Sequence, residues 1–288
     1  MNNIAKQIFF NSNAENKKIQ LGKCRLDDIF PQLLVSSSSS TIDVTDTVAT
    51  GISMLVRLSE SLASNLVVLN NGTPVGMLGA KEVLEGFVKN PTYNFLHNTI
   101  VNNIMNRKPC FVAKNTKFLD LMKKLQKMQT DFAILQDSKG MFSNILQDDK
   151  DTFSTISIKR ILELGLMCDT SVTISQIRKK DAVFCFSDDT IHDVIHMMLH
   201  RNTNDVVIQN SPFIISGRVI LEQIQNKIND SDDILDCKIS DLKPYEATIT
   251  HKDLSIPDLC KLMLTVKHPY VMTESQVFTP YDLISVLS

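Results

Sequence analysis

The chain has 288 residues, of which 43% are hydrophobic, so it can build two ordinary domains or four small units that share cores. Its 30 basic and 32 acidic residues leave a net charge of -2, which excludes the strong basic field that binds a nucleic-acid backbone. We expect no membrane span and no signal sequence, because no apolar window is long enough. Six scattered cysteines without a Cys-x-x-Cys pair indicate neither a zinc ribbon nor a disulfide framework, so we expect a cytoplasmic protein.

Residues 1–35 form a polar, uneven leader, which we expect to be irregular or to pair with a sheet. From Thr41 onward, one pattern occurs four times: a short β-branched strand, an amphipathic helix, two strands around a turn, and a second helix. In the first copy, we predict strands at 41–44, 65–69 and 74–78, and helices at 47–62 and 81–88. The sequence Asn-Asn-Gly between the last two strands is typical of a tight hairpin.

The other three copies repeat the order of the first. In the second copy, we predict strands at 110–113, 131–135 and 153–157, with helices at 116–129 and 159–164. In the third, the strands are 182–186, 205–209 and 212–216, and the helices are 190–201 and 219–228. In the fourth, the strands are 247–250, 270–273 and 276–279, and the helices are 255–266 and 280–287. The polar insertion at 137–152 predicts a mobile loop.

These copies divide the chain into a leader and four repeats, at 1–35, 36–95, 96–168, 169–232 and 233–288. A βαββα unit of about 60 residues cannot bury both faces of its sheet, so it must pack against another copy. We expect pairing within each half of the chain, giving modules at 36–166 and 170–288 that each enclose a cleft. The predicted fold class is α/β in the α+β sense, with four βαββα repeats packed as two pseudo-symmetric pairs.

The repeat order, with a T-x-x-D where the closing helix begins, resembles the cystathionine-β-synthase (CBS) domain family over about residues 40–288. The best match is V-F-T-P-Y-D-L-I in the fourth repeat, which carries Thr279 and Asp282 at the family's spacing. The resemblance implies four tandem CBS repeats in two Bateman modules, a layout similar to the regulatory γ subunit of AMP-activated protein kinase. It also implies that Thr279 and Asp282 bind the ribose and phosphate of an adenosine-containing ligand. The alternative is a helix cap alone, with Thr279 as N-cap and Asp282 favouring the helix dipole.

The resemblance implies further ligand contacts in the same repeat. His268 lies at a position similar to that of a phosphate-contacting histidine in the γ subunit, and Lys267 beside it adds a second positive group. Tyr270 and Val271 would flank the adenine, or would belong to the strand core. Thr248, on the first strand of the repeat, completes this candidate set.

The first three repeats depart from the T-x-x-D pattern. The two positions hold Gly79 with Glu82, Ser157 with Arg160, and Ser216 with Val219. Glu82 can still accept a hydrogen bond from a ribose, and Arg160 can hold a phosphate but cannot clamp a diol. Binding at the third repeat would require Arg218 to turn toward a phosphate. We therefore expect one intact site, one weak site and two degenerate sites.

The resemblance implies a non-enzymatic sensor. No phosphate-binding glycine loop, nucleophile elbow or local cysteine and histidine pair indicates a reaction, although these absences do not exclude an enzyme. No cofactor is required, and an adenine nucleotide (AMP, ADP or ATP) or S-adenosylmethionine would be the effector. The expected partners are this ligand and a second copy of the chain or a regulated protein, without nucleic acid or membrane. The competing hypothesis is a ligand-free scaffold for homodimerisation or partner binding.

One further pattern is a histidine stripe on a predicted helix. His192, His196 and His200 recur every four residues, and residues four apart share a helix face and can chelate a divalent metal. The sequence shows no fixed third ligand for such a site. A surface that responds to pH is the alternative interpretation of the stripe.

Overall fold

The computed structural model describes residues 9–11, 18–29, 40–58, 65–128, 130, 132–136, 155–177, 182–227, 234–251, 253–266, 268–273, 276–280 and 282–283. In the leader, Phe9–Asn11 (β1) and Lys18–Gln20 (β2) pair antiparallel, and β1 also pairs with Cys168–Asp169. The leader therefore pairs with a sheet, which is one of the two forms predicted for it. The short helix α1 (Leu26–Ile29) follows β2.

The first repeat has the predicted order of elements. Its strands are β3 (Thr41–Asp43), β4 (Asn65–Asn70) and β5 (Thr73–Gly79), and its helices are α2 (Val48–Arg57), α3 (Ala80–Lys89) and α4 (Tyr93–Asn98), the last of which was not predicted. Strand β3 is parallel to β4, and β4 is antiparallel to β5. Asn71 and Gly72 form the predicted hairpin turn with φ angles of 50° and 76°, which asparagine and glycine adopt most readily.

The later repeats keep the same order. The second contains β6 (Phe111–Ala113), α5 (Phe118–Met128), β7 (Phe132–Gln136), β8 (Thr155–Ser157) and α6 (Ile158–Leu166), followed by β9 (Cys168–Asp169). The third contains β10 (Phe184–Cys185), α7 (Ile191–Arg201), β11 (Asp205–Ile208), β12 (Phe213–Ser216), α8 (Gly217–Lys227) and an added edge strand, β13 (Tyr245–Glu246). The fourth contains β14 (Thr248–Ile249), α9 (Ile256–Thr265), β15 (Val271–Met272) and β16 (Val277–Phe278). The loop predicted at 137–152 and most of the helix predicted at 280–287 lie outside the described residues.

The compact units of the chain do not follow its two halves. One unit comprises Met1–Ser39, Pro109–Lys180 and Thr248–Ser288, and the other comprises Ser40–Lys108 and Asp181–Ala247. Each unit therefore combines alternate repeats, the second with the fourth and the first with the third. The buried cores of these units therefore join repeats from different halves of the chain, whereas we expected pairing within each half.

The physical reason is the helix packing inside each unit. In the unit of the first and third repeats, buried residues of both repeats form one core, with Ile52 and Val83 from the first and Val194 and Ile220 from the third. In the other unit, α6 packs on α9 so closely that a Cβ added at Gly165 would lie 2.3 Å from a side-chain atom of α9. The apolar helix faces are thus buried against the repeat two positions along the chain.

A short segment preceding each repeat docks on a different repeat. Thr99–Ile104, before the second repeat, bonds the start of α2 through Val48 N–H to Thr99 O at 3.0 Å. Cys24–Ile29, before the first repeat, bonds the start of α5 in the same way. The segments before the third and fourth repeats dock on α9 and α7, respectively. The two repeats of each half of the chain therefore exchange their leading segments, although their helices pack elsewhere.

Within the described part of the chain, no helix combines the length and the apolar character needed to cross a bilayer. The longest helices, such as α7, have one apolar face that is buried and one polar face that is exposed. This is the pattern of helices that pack on one side only.

Candidate functional site

Thr279 and Asp282 lie together immediately after β16. The Asp282 carboxylate oxygen Oδ2 accepts the backbone N–H of Thr279 at 2.7 Å and its hydroxyl at 3.0 Å. The backbone N–H of Asp282 donates to the Thr279 carbonyl at 3.0 Å, which starts a helical turn. The hydroxyl and the carboxylate are thus presented side by side, as a site for a sugar would require.

Apolar neighbours hold this pair at the surface. Phe278 and Leu283 have no exposed area, and Pro280 is also buried. Since these side chains point inward, Thr279 and Asp282 remain half-buried and reachable from solvent. The local sequence therefore fixes the direction in which the two polar groups face.

The same residue spacing forms ordinary helix caps elsewhere in the chain. Thr190 before α7 donates its hydroxyl to Asp193 at 2.7 Å, and Ser255 before α9 donates its hydroxyl to Asp258 at 2.5 Å. In both cases the hydroxyl also accepts the backbone N–H of that aspartate, at 3.1 and 3.3 Å. Thr279 differs, since among the described residues its hydroxyl bonds only to the Asp282 carboxylate. No backbone N–H of a described residue donates to this hydroxyl.

The other predicted residues of the fourth repeat have mixed environments. His268 and Tyr270 are half-buried, and the Tyr270 N–H donates to the His268 carbonyl at 2.8 Å. Thr248 is half-buried, and its N–H donates to the Tyr270 carbonyl at 2.8 Å, which ties β14 to the start of β15. Val271 has no exposed area, so it occupies the strand core, the second of its two predicted roles. Lys267 lies outside the described residues.

In the first repeat, an asparagine fills the space that a threonine side chain would need. A Cβ at Gly79 would lie 2.1 Å from Oδ1 of Asn65, which faces Gly79 across the β4–β5 pair. Glu82 accepts the Gly79 N–H at 2.9 Å, and burial is the main cause that raises the pKa of this carboxyl. The carboxylate therefore serves as a helix cap. Asn65 was not among the predicted site residues: counting back from the hairpin turn places it opposite Leu78, and a register shift between Val68 and Leu69 moves it opposite Gly79.

In the second and third repeats, Arg160, Ser216 and Arg218 make contacts within the protein. Arg160 forms an ion pair with Glu163 at 2.6 Å, and Ser157 makes no side-chain cap bond. Ser216 is buried, and its hydroxyl accepts the Val219 N–H at 3.4 Å. Binding at the third repeat would require Arg218 to face a phosphate. In the structure, its Nη1 donates to the Leu58 carbonyl at the end of α2, at 3.1 Å.

The parallel strand pair, hairpin and packed helices that recur in the four repeats give the chain the fold that its resemblance to CBS domains implies, and the predicted fold class is confirmed. By sequence, the chain matches no protein-family model and no curated protein.

Solved structures supply the particular comparison. The chain is similar to a protein of Methanocaldococcus jannaschii described as a proposed archaeal homologue of γ-AMPK, at 13% identity, with 92% of this chain and 100% of that chain covered and a TM-score of 0.72. It also matches an uncharacterised conserved protein from Pyrococcus horikoshii at 13% identity, over 88% of this chain and 98% of that one, with a TM-score of 0.49. A CBS domain protein from Streptococcus pneumoniae matches 48% of this chain and 88% of its own length, at 13% identity and a TM-score of 0.37. At these identities, the first comparison establishes a shared fold over nearly the whole chain.

Proposed function

We propose that the chain is a non-enzymatic regulatory protein whose fourth repeat binds an adenosine-containing ligand, namely AMP, ADP, ATP or S-adenosylmethionine. The observation that carries the proposal is the geometry of Thr279, whose hydroxyl donates to Asp282 at 3.0 Å without capping the helix backbone. The similarity in fold to a protein described as a γ-AMPK homologue supports the regulatory part of this proposal.

The two side chains would divide the recognition of a ribose between them. A carboxylate can accept about four hydrogen bonds, and Asp282 would accept from the vicinal hydroxyls of the ribose in addition to its bonds from Thr279. Because the Thr279 hydroxyl proton points at Asp282, the oxygen of that hydroxyl is oriented to accept from the ligand. The existing bonds also hold the carboxylate in one rotamer, which lowers the entropy cost of binding.

Regulation requires more than occupancy of this site. A ligand shifts a conformational equilibrium only through different affinities for its two states. Here the ligand would act on the turn that begins at Thr279 and on the strands β14 and β15, which the Thr248 to Tyr270 bond connects. A regulated protein partner or a second copy of the chain would bind differently to the ligand-bound and ligand-free conformations of these elements.

The ligand-free scaffold remains the second candidate, and one observation favours it. Thr190 with Asp193 and Ser255 with Asp258 show that this chain uses the same spacing for purely structural caps. If Thr279 and Asp282 do no more than start a helix, the repeats serve for homodimerisation or for holding a partner.

A pair of matched variants separates the two candidates. Asp282→Asn removes the charge at the proposed site, and Asp258→Asn removes it from a cap in the same repeat. Isothermal titration with AMP, ADP, ATP and S-adenosylmethionine, and with guanosine monophosphate as a control, gives the affinities. We expect Asp282→Asn to weaken binding of the adenosine ligand at least about tenfold, the loss of about one charged hydrogen bond. We expect Asp258→Asn to change the affinity by less than about twofold.

Thermal unfolding checks the same result independently, since a ligand at about 100 times its Kd stabilises the folded state by about 2.7 kcal/mol. No response of the natural protein to any of the four ligands would favour the scaffold. Equal losses of affinity in the two variants would show that the effect comes from capping rather than from ligand contact.

A further inference from the structure

Two histidines of α7 face each other at a distance suited to a shared metal ion. Their Nε2 atoms are 3.2 Å apart and share a hydrogen bond, and the ring centroids are 4.4 Å apart with an interplanar angle of 61°. Two imidazole nitrogens at about 2.0–2.1 Å from one ion, with an angle of about 90–109° between them, lie roughly 2.9–3.4 Å from each other. The separation between His192 and His196 falls in this range.

The helix that carries the pair is firmly anchored. Ile191, Val194 and Ile195 have no exposed area and belong to the core that the first and third repeats share. His192 is half-buried and His196 is exposed, so the two rings lie on the outer flank of a fixed helix. A metal ion would therefore meet two ligands whose backbone positions are already set, which favours binding.

The local charges partly offset each other. His192 lies in the first turn of α7, where the positive end of the helix dipole disfavours a cation. Asp193 lies between the two histidines in sequence and accepts hydrogen bonds from the Thr190 N–H at 3.1 Å and the Thr190 hydroxyl at 2.7 Å, which places a carboxylate beside the pair.

We propose that His192 and His196 form a bidentate site for a divalent late first-row transition-metal ion, such as Ni²⁺ or Zn²⁺. Among the described residues, no group of three or more histidine, cysteine, aspartate or glutamate side chains is arranged to hold a metal, so water completes the coordination. Imidazole nitrogens select these ions over Mg²⁺ and Ca²⁺, which prefer oxygen ligands. His200 belongs to the same stripe in the sequence but is not part of the site.

The test uses the full chain without a polyhistidine tag and titrates it with NiCl₂ and with ZnCl₂ in a calorimeter. We expect one ion to bind per chain, and a 100-fold excess of Mg²⁺ should not displace it. His192→Ala and His196→Ala should each weaken binding at least about tenfold, because a chelate becomes a single ligand. His200→Ala, an exposed histidine one turn further on the same helix, is the matched control and should change the affinity by less than about twofold.

Circular dichroism of each variant checks that the helical content of the protein is unchanged. We expect no change, because the rings of these histidines lie at the surface. Three results would overturn the assignment: no saturable binding by the natural protein, an equal loss in His200→Ala, or an unchanged affinity in the double variant of His192 and His196. The last result would place the ion elsewhere, for example on cysteines, which all of these variants retain.

Discussion

Replacement of Gly165 by alanine tests the packing that joins the second and fourth repeats. The new Cβ would lie 2.3 Å from Sγ of Cys260, where an ordinary contact is about 3.5–4.0 Å. Both positions are buried, so neither side can move into solvent. Overpacking of this kind costs about 1–3 kcal/mol, and the size of the overlap indicates the upper end. The better helix propensity of alanine returns up to about 1 kcal/mol, which leaves a net destabilisation of about 2 kcal/mol.

The assay is equilibrium urea unfolding followed by circular dichroism, in a double-mutant cycle with Cys260→Ala. Without Sγ, the nearest atom to the new methyl group is the Cβ at position 260, at 3.4 Å, which is a tolerable contact. Gly165→Ala should therefore be neutral or slightly stabilising in the Cys260→Ala background, giving a coupling energy of about 2 kcal/mol. Gly22→Ala, where the nearest atom would be 3.5 Å away, is the control. Equal costs of Gly165→Ala in the two backgrounds would refute the close packing of α6 on α9.

Two further predictions concern ionisable groups. Burial raises the pKa of Glu82 from its ordinary 4.5, so above pH 4.5 the folded state keeps a proton that the unfolded state releases. The stability of the natural protein relative to Glu82→Gln should therefore fall as the pH rises from 4.5 to the raised pKa. Urea unfolding of both proteins from pH 4 to pH 7 measures this difference, and an increase in relative stability would contradict the prediction. Burial raises the pKa of the Cys168 and Cys260 thiols to about 12, so alkylation of the folded protein at pH 8 should modify the half-buried Cys24 and Cys237 first. Mass spectrometry identifies the labelled cysteines, and rapid labelling of Cys168 would show that this thiol is not buried.

The elements of each repeat were predictable because their signals are local. The alternation of apolar residues and the Asn-Asn-Gly turn placed β4 and β5 to within a residue of their observed bounds. The helix at 190–201 was equally clear, since Thr190 is a strong N-cap and the apolar spacing is regular. Each of these signals depends on residues close together in the chain.

The pairing of repeats was not predictable by the same reasoning. Each repeat offers helices with an apolar face, and any other repeat can cover that face equally well as far as the sequence shows. The close approach of α6 to α9 at Gly165 accompanies the packing of the second repeat on the fourth. A single glycine near the end of a helix does not indicate which repeat that helix packs against. The exchanged segments, such as Thr99–Ile104, were missed because they are short and contain only a few apolar residues.

The candidate site illustrates a further limit of a local motif. A T-x-x-D sequence gives the same spacing whether its hydroxyl caps a helix or faces a ligand, and Thr190 shows the first case. Thr279 differs from Thr190 in the acceptor of one backbone N–H. The Asp282 N–H donates to the Thr279 carbonyl, whereas the Asp193 N–H donates to the Thr190 hydroxyl. The proposed ligand recognition at Thr279 rests on this difference, which the T-x-x-D sequence alone does not specify. Its test must therefore compare positions that share the motif but not this bond.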